Sequence, residues 1–417
     1  MDCRIIAVGT ELVLGLTTDI NSPYIARFLA ENGVSSQQHQ VVPDDVDEIA
    51  HAILDGLQHS DALIITGGLG PTFDDVTREA LSKAAKRELV FDPKLAEILK
   101  ERFPHHKPMP EFILRQAYLP EGAIPINPTL GTAPGIVLEI EDKIIFALPG
   151  VLDEMKVMLK DKVIPLLRKR VREKAILIKV IKTCGISEAS LQERLEDIIA
   201  RYENLNIRIL VHLEEVHILL MAEGDIRAVE ELISNVKDEI THRLGKLVYG
   251  FDEDTLEKVV GKLLRKHELK LAVAESCTGG LLSDRFTNIP GSSDYFWAGI
   301  IPYSTEMKRE LIRVPSQVLL EHGTVSSFTA QAMADGARLI AEANIGLGIT
   351  GIAGPTGGTP EKPVGLTFIA LSTKTTRFCK RFIFTGSREV IKFKASQQAL
   401  NLLRLFLLER FEEGEVS

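Results

Sequence analysis

The chain has 417 residues, 45% hydrophobic and 26% charged, with a formal net charge of -9. That composition belongs to globular domains, and the length fits two or three of them. The acidic balance opposes general nucleic-acid binding, which needs a clustered basic surface, and no stretch approaches the ~18 apolar residues of a membrane helix. The four cysteines, Cys3, Cys184, Cys277 and Cys379, have no metal-ligand spacing, which argues against a zinc site or a disulfide framework. Residues 1–12 read as a first strand and lack the basic flank and cleavage site of a signal peptide, so the expected location is the cytoplasm. The densest basic run holds Arg168, Lys169, Arg170, Arg172 and Lys174. It reads either as a local basic patch or as a solvated helix end or linker.

In chain order, an apolar strand at 3–8 is closed by Gly9. A helix over 20–32 stops at Gly33, a strand follows at 34–42, and helical period covers 45–58. The apolar strand 62–66 runs into Gly67, Gly68 and Gly70, and 77–85 is helical. This β-α-β-α alternation predicts a parallel sheet with helices on both faces. Residues 103–128 are proline-dotted and irregular, strands 135–140 and 143–147 pair as a hairpin, and helix 153–169 closes the first domain. Next come a strand at 174–182, a helix at 188–202, strands at 206–213 and 215–222, and a helix at 227–244. Such a module covers one face of an antiparallel sheet. It is small enough to need packing or dimer contacts for support. The last domain opens with helix 256–267 and strand 271–274. Strands at 294–301, 345–350, 364–371 and 376–384 then alternate with helices at 305–312, 327–343 and 388–411. The expected fold class is α/β: two separate three-layer α/β domains, 1–170 and 251–417, joined by a small α+β module at 171–250.

The segment Glu275-Ser276-Cys277-Thr278-Gly279-Gly280 lies at a strand-to-helix junction. The first N–H groups of a helix lack internal partners and favour negative charge. Ser276 is therefore either a nucleophile beside oxyanion donors or, like Thr278, a helix N-cap. A serine nucleophile needs a base. In Tyr303-Ser304-Thr305-Glu306-Met307-Lys308, a desolvated Lys308 with a depressed pKa would accept the serine proton; the alternative is an ordinary surface lysine. Thr350-Gly351-Ile352-Ala353-Gly354-Pro355, continuing through Gly357 and Gly358, shapes either a phosphate or ribose cradle or an exposed turn. Cys277 is a rival nucleophile, but no histidine lies in these motifs to activate it.

Taken together, AESCTGG, YSTEMK, GTVS (323–326), TGIAGPTGG and EKPVG resemble, in order and spacing, the CinA C-terminal family of nicotinamide mononucleotide deamidases over 255–417. The resemblance implies Ser276 as nucleophile, with Tyr303 and Lys308 as partners and backbone N–H groups of Thr278, Gly279 and Gly280 as oxyanion donors. It puts Thr350, Gly351, Ala353 and Gly354 at the substrate. Arg388, in Gly386-Ser387-Arg388, would take the phosphate with its guanidinium fork. The implied reaction hydrolyses a carboxamide to a carboxylate and ammonia through an acyl-enzyme, without a cofactor. Thr305 and Thr350 stand where the family usually has asparagine and serine, and both remain polar.

In the first domain, the stretch from Thr66 to Thr77 (TGGLGPTFDDVT) follows a strand and precedes a helix. Asp74 and Asp75 stand where carboxylates would hold a divalent cation against phosphates, unless Asp75 or Thr77 merely caps the helix. This stretch is joined by Gly9-Thr10-Glu11, Asn21, Gly131-Thr132-Ala133-Pro134-Gly135, and Leu148-Pro149-Gly150 leading to Glu154. The set resembles the molybdopterin-binding fold as found at the N-terminus of CinA proteins, over roughly 1–170. The resemblance implies metal-dependent hydrolysis of ADP-ribose to AMP and ribose 5-phosphate. Asp74, Asp75 and Glu154 would serve a divalent metal ion. Gly9, Thr10, Glu11, Asn21, Gly67, Gly68, Gly70, Thr72, Gly131, Thr132, Pro149 and Gly150 would line the substrate. Leu69 stands where molybdopterin adenylyl and insertion enzymes carry threonine, which argues against a molybdopterin role. Residues 171–250 resemble the KH-like insert of full-length CinA proteins but lack a GxxG loop, and read as a spacer and dimerisation element.

The expectation is a bifunctional pyridine-nucleotide salvage enzyme, a homodimer whose partners are nicotinamide mononucleotide and ADP-ribose rather than a membrane or nucleic acid. The alternatives are a molybdopterin-binding protein and a competence-associated adaptor; an adaptor has no need for the Ser–Tyr–Lys set.

Overall fold

The computed structural model describes residues 1–103, 105, 108–170 and 175–412. It divides into two compact units, Met1–Ile178 with Met221–Ser234, and Lys179–Leu220 with Asn235–Ser417.

The first unit is built on β1 (Asp2–Val8), α1 (Asn21–Glu31), β2 (Ser35–Val42), α2 (Val46–His59), β3 (Ala62–Thr66), α3 (Thr77–Ala85), α4 (Pro93–Arg102), β4 (Ile124–Ile126), β5 (Gly135–Ile140), β6 (Lys143–Leu148) and α5 (Leu152–Met158). The six-stranded sheet has the order β2-β1-β3-β6-β5-β4. Its first four strands are parallel, and β5 and β4 are antiparallel additions at one edge. The expected parallel run and the expected hairpin are both present, so the sheet is mixed: the two-residue turn between β5 and β6 makes a hairpin, and a parallel link needs a longer crossover. All five residues of β3 are buried, as a central strand covered on both faces requires. Alternation along the strands feeds two apolar layers. Ile5, Ile64 and Phe146 pack with Leu29 and Met155, while Ile6, Ile65 and Ile145 pack with Ile49, Ile53 and Leu81. This is the three-layer sandwich. Asp45 caps α2 by accepting from the N–H groups of Asp47 and Glu48.

The helix expected over 153–169 is interrupted by a π-helical turn, Leu159–Val163, before a further α-turn at Ile164–Arg168. Pro165 has no N–H to donate back to residue 161, and the wider turn accommodates that loss. In the basic run, Arg168 donates to Asn32 Oδ1 at 2.8 Å and Arg170 donates to the Asp142 carbonyl at 3.1 Å, so both are tied to their own domain at a helix end. Arg172 and Lys174 lie outside the described residues.

The small α+β module has β7 (Ala175–Cys184), α6 (Glu188–Arg201), β8 (Asn206–His212), β9 (Glu215–Gly224), α7 (Ile226–Leu244) and β10 (Val248–Phe251), with the sheet order β8-β9-β7-β10. Leu191, Leu195 and Ile198 form the buried stripe of α6. The strand β10, unassigned in the sequence, pairs antiparallel with β7.

The C-terminal domain contains α8 (Leu256–Lys266), β11 (Leu271–Glu275), α9 (Leu281–Thr287), β12 (Phe296–Ile300), α10 (Thr305–Glu310), α11 (Ser316–His322), α12 (Ser327–Ile340), β13 (Ile345–Gly351), β14 (Leu366–Ser372), β15 (Arg377–Ile383) and α13 (Arg388–Leu407). Its sheet runs β12-β11-β13-β14-β15, with the first two pairings parallel and the last two antiparallel. Leu271, Val273, Leu347 and Ile369 pack with Val260, Leu264 and Leu403 on one face; Ala272 and Ala274 pack with Met333 and Ala337 on the other. The second face is lined by small residues because α12 lies directly on it. A Cβ at Gly348 would come within 2.2 Å of the Ala330 carbonyl.

Among the described residues, no helix is long and apolar enough to cross a membrane.

Candidate active site

In the C-terminal domain, β11 ends on Glu275, and Ser276 continues it by donating its N–H to the Ile349 carbonyl of β13 at 2.9 Å. Ser304 caps α10, accepting from Met307 N at 3.1 Å. Of the residues of α10, only Lys308 is buried; it is 1% exposed, which excludes the surface-lysine reading. Its Nζ lies 3.0 Å from Ser276 Oγ, 2.9 Å from the Pro302 carbonyl and 3.0 Å from the Tyr303 carbonyl. Burial pulls its pKa below the usual lysine range. A neutral amine has two N–H groups and one lone pair. In that form the two carbonyls accept the two N–H groups and the lone pair faces the Ser276 hydroxyl; in the ammonium form the third N–H donates to Ser276 Oγ instead. The chain therefore brings Ser276 and Lys308 together from segments 32 residues apart.

Glu275 has no exposure at all. Its carboxylate accepts from Gly280 N (3.1 Å), Leu282 N (3.0 Å), Ser283 N (2.8 Å) and Ser283 Oγ (2.7 Å). This buried carboxylate fills the N-terminus of α9, so neither Ser276 nor Thr278 is its cap. The expected set of oxyanion donors is corrected accordingly. Gly280 N–H is committed to Glu275, and Gly279 N–H donates to the Ser276 carbonyl at 3.2 Å. The N–H groups of Cys277 and Thr278 donate to no oxygen among the described residues and face the Cys277 sulfur. Thr278 Oγ1 is buried without a partner. Burial pushes the Cys277 thiol up to about 12, which removes it as a nucleophile near neutral pH.

Tyr303 reaches the pair differently from expectation. Its carbonyl accepts from Lys308, while its phenol is exposed and takes a hydrogen bond from Arg388 Nη2 at 3.3 Å. Arg388, the first residue of α13, also donates through Nη1 to the Gly354 carbonyl at 2.7 Å, bracing the glycine loop. Two expected substrate contacts serve the scaffold instead. Thr350 is buried and donates to the Thr324 carbonyl at 2.7 Å, and Ala353 packs in the apolar core. Gly351 ends β13, with its Cβ position 2.6 Å from the Leu366 carbonyl. Thr305 begins α10 and is exposed. Lys362 stands in the EKPVG motif, but the motif gives it no role. It ties EKPVG to GTVS by donating to the carbonyls of His322 (3.0 Å) and Val325 (2.9 Å). A separate cavity of about 520 Å³, lined among others by Pro315, Phe328, Leu339 and Arg377, contains none of Ser276, Lys308 and Arg388.

In the first domain, the loops after β1, β3 and β6 meet at the C-terminal ends of adjacent parallel strands, the usual ligand position in such sheets. Asn21 Nδ2 donates to Thr66 Oγ1 (2.9 Å) and the Gly150 carbonyl (2.8 Å), and Thr66 Oγ1 donates to the Pro149 carbonyl (3.1 Å). Gly67 has φ +108, and a Cβ there would sit 2.3 Å from the Val8 carbonyl, so only glycine fits. Thr77 Oγ1 donates to the Gly67 carbonyl at 2.8 Å, across which Gly68 packs closely. Thr10 is engaged with Asp44, its N–H donating to Oδ2 at 2.7 Å, and the Glu11 carboxylate folds over Gly9.

Neither cap reading survives: Asp75 accepts from Thr72 N at 2.8 Å and from the Thr72 hydroxyl, and no side chain caps α3. Arg78, absent from the sequence reading, is 2% exposed and donates to the carbonyls of Leu69 (2.7 Å) and Gly70 (2.8 Å). Arg102 likewise holds the Gly131 carbonyl at 2.8 Å, next to the half-buried Thr132. Asp74 is exposed. Glu154 lies against Gly131; burial raises its pKa, and its Oε2 is buried without a partner, as is Asn21 Oδ1. Among the described residues, no three His, Cys, Asp or Glu side chains are placed to hold an ion, so Asp74, Asp75 and Glu154 do not form a protein-made cage.

Comparison with known proteins agrees with this layout. Residues 253–407 match the CinA C-terminal domain, residues 178–250 the damage-inducible protein CinA KH domain, and residues 4–169 the family described as "Probable molybdopterin binding domain". A CinA-like protein of Kosmotoga olearia is 39% identical over 98% of this chain and 99% of its own length. A CinA-like protein of Dictyoglomus thermophilum is 39% identical over 98% and 100%. The crystal structure of the protein CinA from Thermoplasma acidophilum is 35% identical, covers 39% of this chain and 99% of its own, and has a TM-score of 0.38. With full-length relatives this similar and all three domain patterns present in order, the chain belongs to the CinA family.

Proposed function

We propose that the C-terminal domain is a serine amidase that hydrolyses nicotinamide mononucleotide to nicotinate mononucleotide and ammonia. One observation carries this reading: Lys308 Nζ is buried 3.0 Å from Ser276 Oγ, with its other hydrogen bonds taken by two carbonyls. In this scheme the neutral Lys308 amine takes the Ser276 proton as Oγ bonds to the carboxamide carbon. The N–H groups of Cys277 and Thr278 receive the oxyanion. As the C–N bond breaks, the Lys308 ammonium returns the proton to the departing ammonia. Water then attacks the acyl-serine, giving its proton to Lys308, and the carboxylate leaves with Ser276 restored.

For the N-terminal domain we propose hydrolysis of ADP-ribose to AMP and ribose 5-phosphate. The open polar atoms Asn21 Oδ1 and Glu154 Oε2 support a polar ligand there. A divalent ion bound with a pyrophosphate needs only one or two protein carboxylates, and Asp75 and the exposed Asp74 fit that smaller demand. When bound, the ion would neutralise pyrophosphate charge. We place the protein in the cytoplasm as a homodimer acting on small nucleotides.

Ammonia release from nicotinamide mononucleotide tests the main reading. Wild type should turn over, and Ser276→Ala should fall by ~10⁴-fold or more, the scale seen when a serine nucleophile is removed. Full activity in Ser276→Ala would refute the serine mechanism. Metal-dependent AMP formation should be lost in Asp75→Ala, and an unchanged rate would take Asp75 out of the site.

A further inference from the structure

We infer that Lys392 is a specificity-determining residue of the Ser276 site, closing a two-cation clamp with Arg388 on the phosphomonoester of the substrate. The inference rests on the deamidase reading and refines it. Arg388 and Lys392 are four residues apart on α13, so they share one face. A Cβ built on Gly279, three residues past the nucleophile, would lie 3.7 Å from Lys392 Nζ. The ammonium therefore hangs over the turn that carries Ser276. It is half-buried and has no hydrogen-bond or ion-pair partner among the described residues. Lys394, two positions on, behaves differently: it is paired with Glu214 at 3.1 Å.

The surroundings favour an anion. The carboxylate in the same turn, Glu275, is buried and consumed by four donors. Arg388 spends one N–H on Gly354 and one on Tyr303, which leaves three of its five donors. A phosphomonoester carries close to two negative charges at neutral pH, and the guanidinium and ammonium match it. The amide end of the substrate would then face Ser276 and Lys308, with the phosphate end at the start of α13. Such a site selects the phosphorylated nucleotide over its riboside.

The test uses the full chain and its Lys392→Met and Lys392→Arg variants, with nicotinamide mononucleotide and nicotinamide riboside as substrates and ribose 5-phosphate as a calorimetric probe. Lys392→Met should raise KM for the mononucleotide by about 30-fold, the scale of one charge-assisted hydrogen bond. Its kcat and its turnover of the riboside should stay unchanged, and Lys392→Arg should recover most of the loss. Ribose 5-phosphate binding should weaken by a similar factor in Lys392→Met. Equal losses on both substrates, or none on the mononucleotide, would overturn the clamp. If wild type releases ammonia from neither substrate, the deamidase reading fails, and calorimetry alone decides the clamp. Equal ribose 5-phosphate affinity in wild type and Lys392→Met would then remove it.

Discussion

Lys308 sits on a short, otherwise exposed helix, yet its amine is buried against a serine and two carbonyls. Burial lowers its pKa, which sets the sign of two pH effects. Activity needs the neutral amine, so kcat/KM should rise with pH through the lowered value and level off below the usual lysine range of ~10.4. A rate–pH profile checks this, and Lys308→Arg, whose guanidinium keeps its proton, should lose ~10²–10⁴-fold. For stability, the unfolded chain binds the proton more readily than the folded one. The contribution of this group is therefore present above the unfolded pKa and is lost as pH falls to the folded one. Cys277 gives a contrasting expectation. With its thiol at about 12, Cys277→Ala should keep activity within a few-fold in the ammonia assay, and iodoacetamide should not inactivate the enzyme near neutral pH. Ser276 and Lys308 were legible in the sequence because each sits in a distinctive motif. Lys392 was not, since an unpaired lysine on a long helix reads like any solvated one until the Gly279 turn is placed beneath it.

At the scale of elements, the strand-to-helix turns were readable and their internal plugs were not. Glu275 is adjacent to Ser276, but nothing local says that its side chain folds forward into α9 rather than toward solvent. Glu275→Ala leaves three N–H groups at the start of α9 without an acceptor, that of Leu282 fully buried and those of Gly280 and Ser283 partly so, at a cost of about 2–3 kcal/mol. A denaturant titration should show that loss, and kcat should fall with little change in KM, since the turn that aims Ser276 loosens. Arg78 plays a comparable part in the first domain, where it pins the carbonyls of Leu69 and Gly70 from the buried face of α3. Arg78→Met should destabilise that domain by about 2–3 kcal/mol, read by the same titration. The helices Pro93–Arg102 and Ser316–His322 went unassigned. For the first a usable signal existed, Asp92 as N-cap and Pro93 at the first position. The phenol of Tyr303 lies elsewhere than expected because the sequence shows which residue is near Lys308, not whether its backbone or its side chain points inward.

Across the whole molecule, the two candidate sites lie in separate compact units, one built at Asn21, Thr66 and Gly150 and the other at Ser276 and Lys308. Their chemistries share no residue, so Ser276→Ala should leave AMP formation from ADP-ribose intact and Asp75→Ala should leave ammonia release intact, as parallel assays of the two variants would show. The α/β alternation made both sandwiches legible from period and glycine turns alone. In the first domain the three carboxylates named for a metal, Asp74, Asp75 and Glu154, are not gathered into one group among the described residues, since sequence proximity of Asp74 and Asp75 does not fix where Glu154 lies. The central claim, that Lys308 activates Ser276 for acyl transfer, is tested most directly by acid-quenching the enzyme during turnover of nicotinamide mononucleotide and weighing the protein and its proteolytic peptides. Wild type should carry a nicotinate-mononucleotide acyl group on the peptide containing Ser276, absent from Ser276→Ala and Lys308→Met. An adduct on another residue, or undiminished turnover in Lys308→Met, would contradict it.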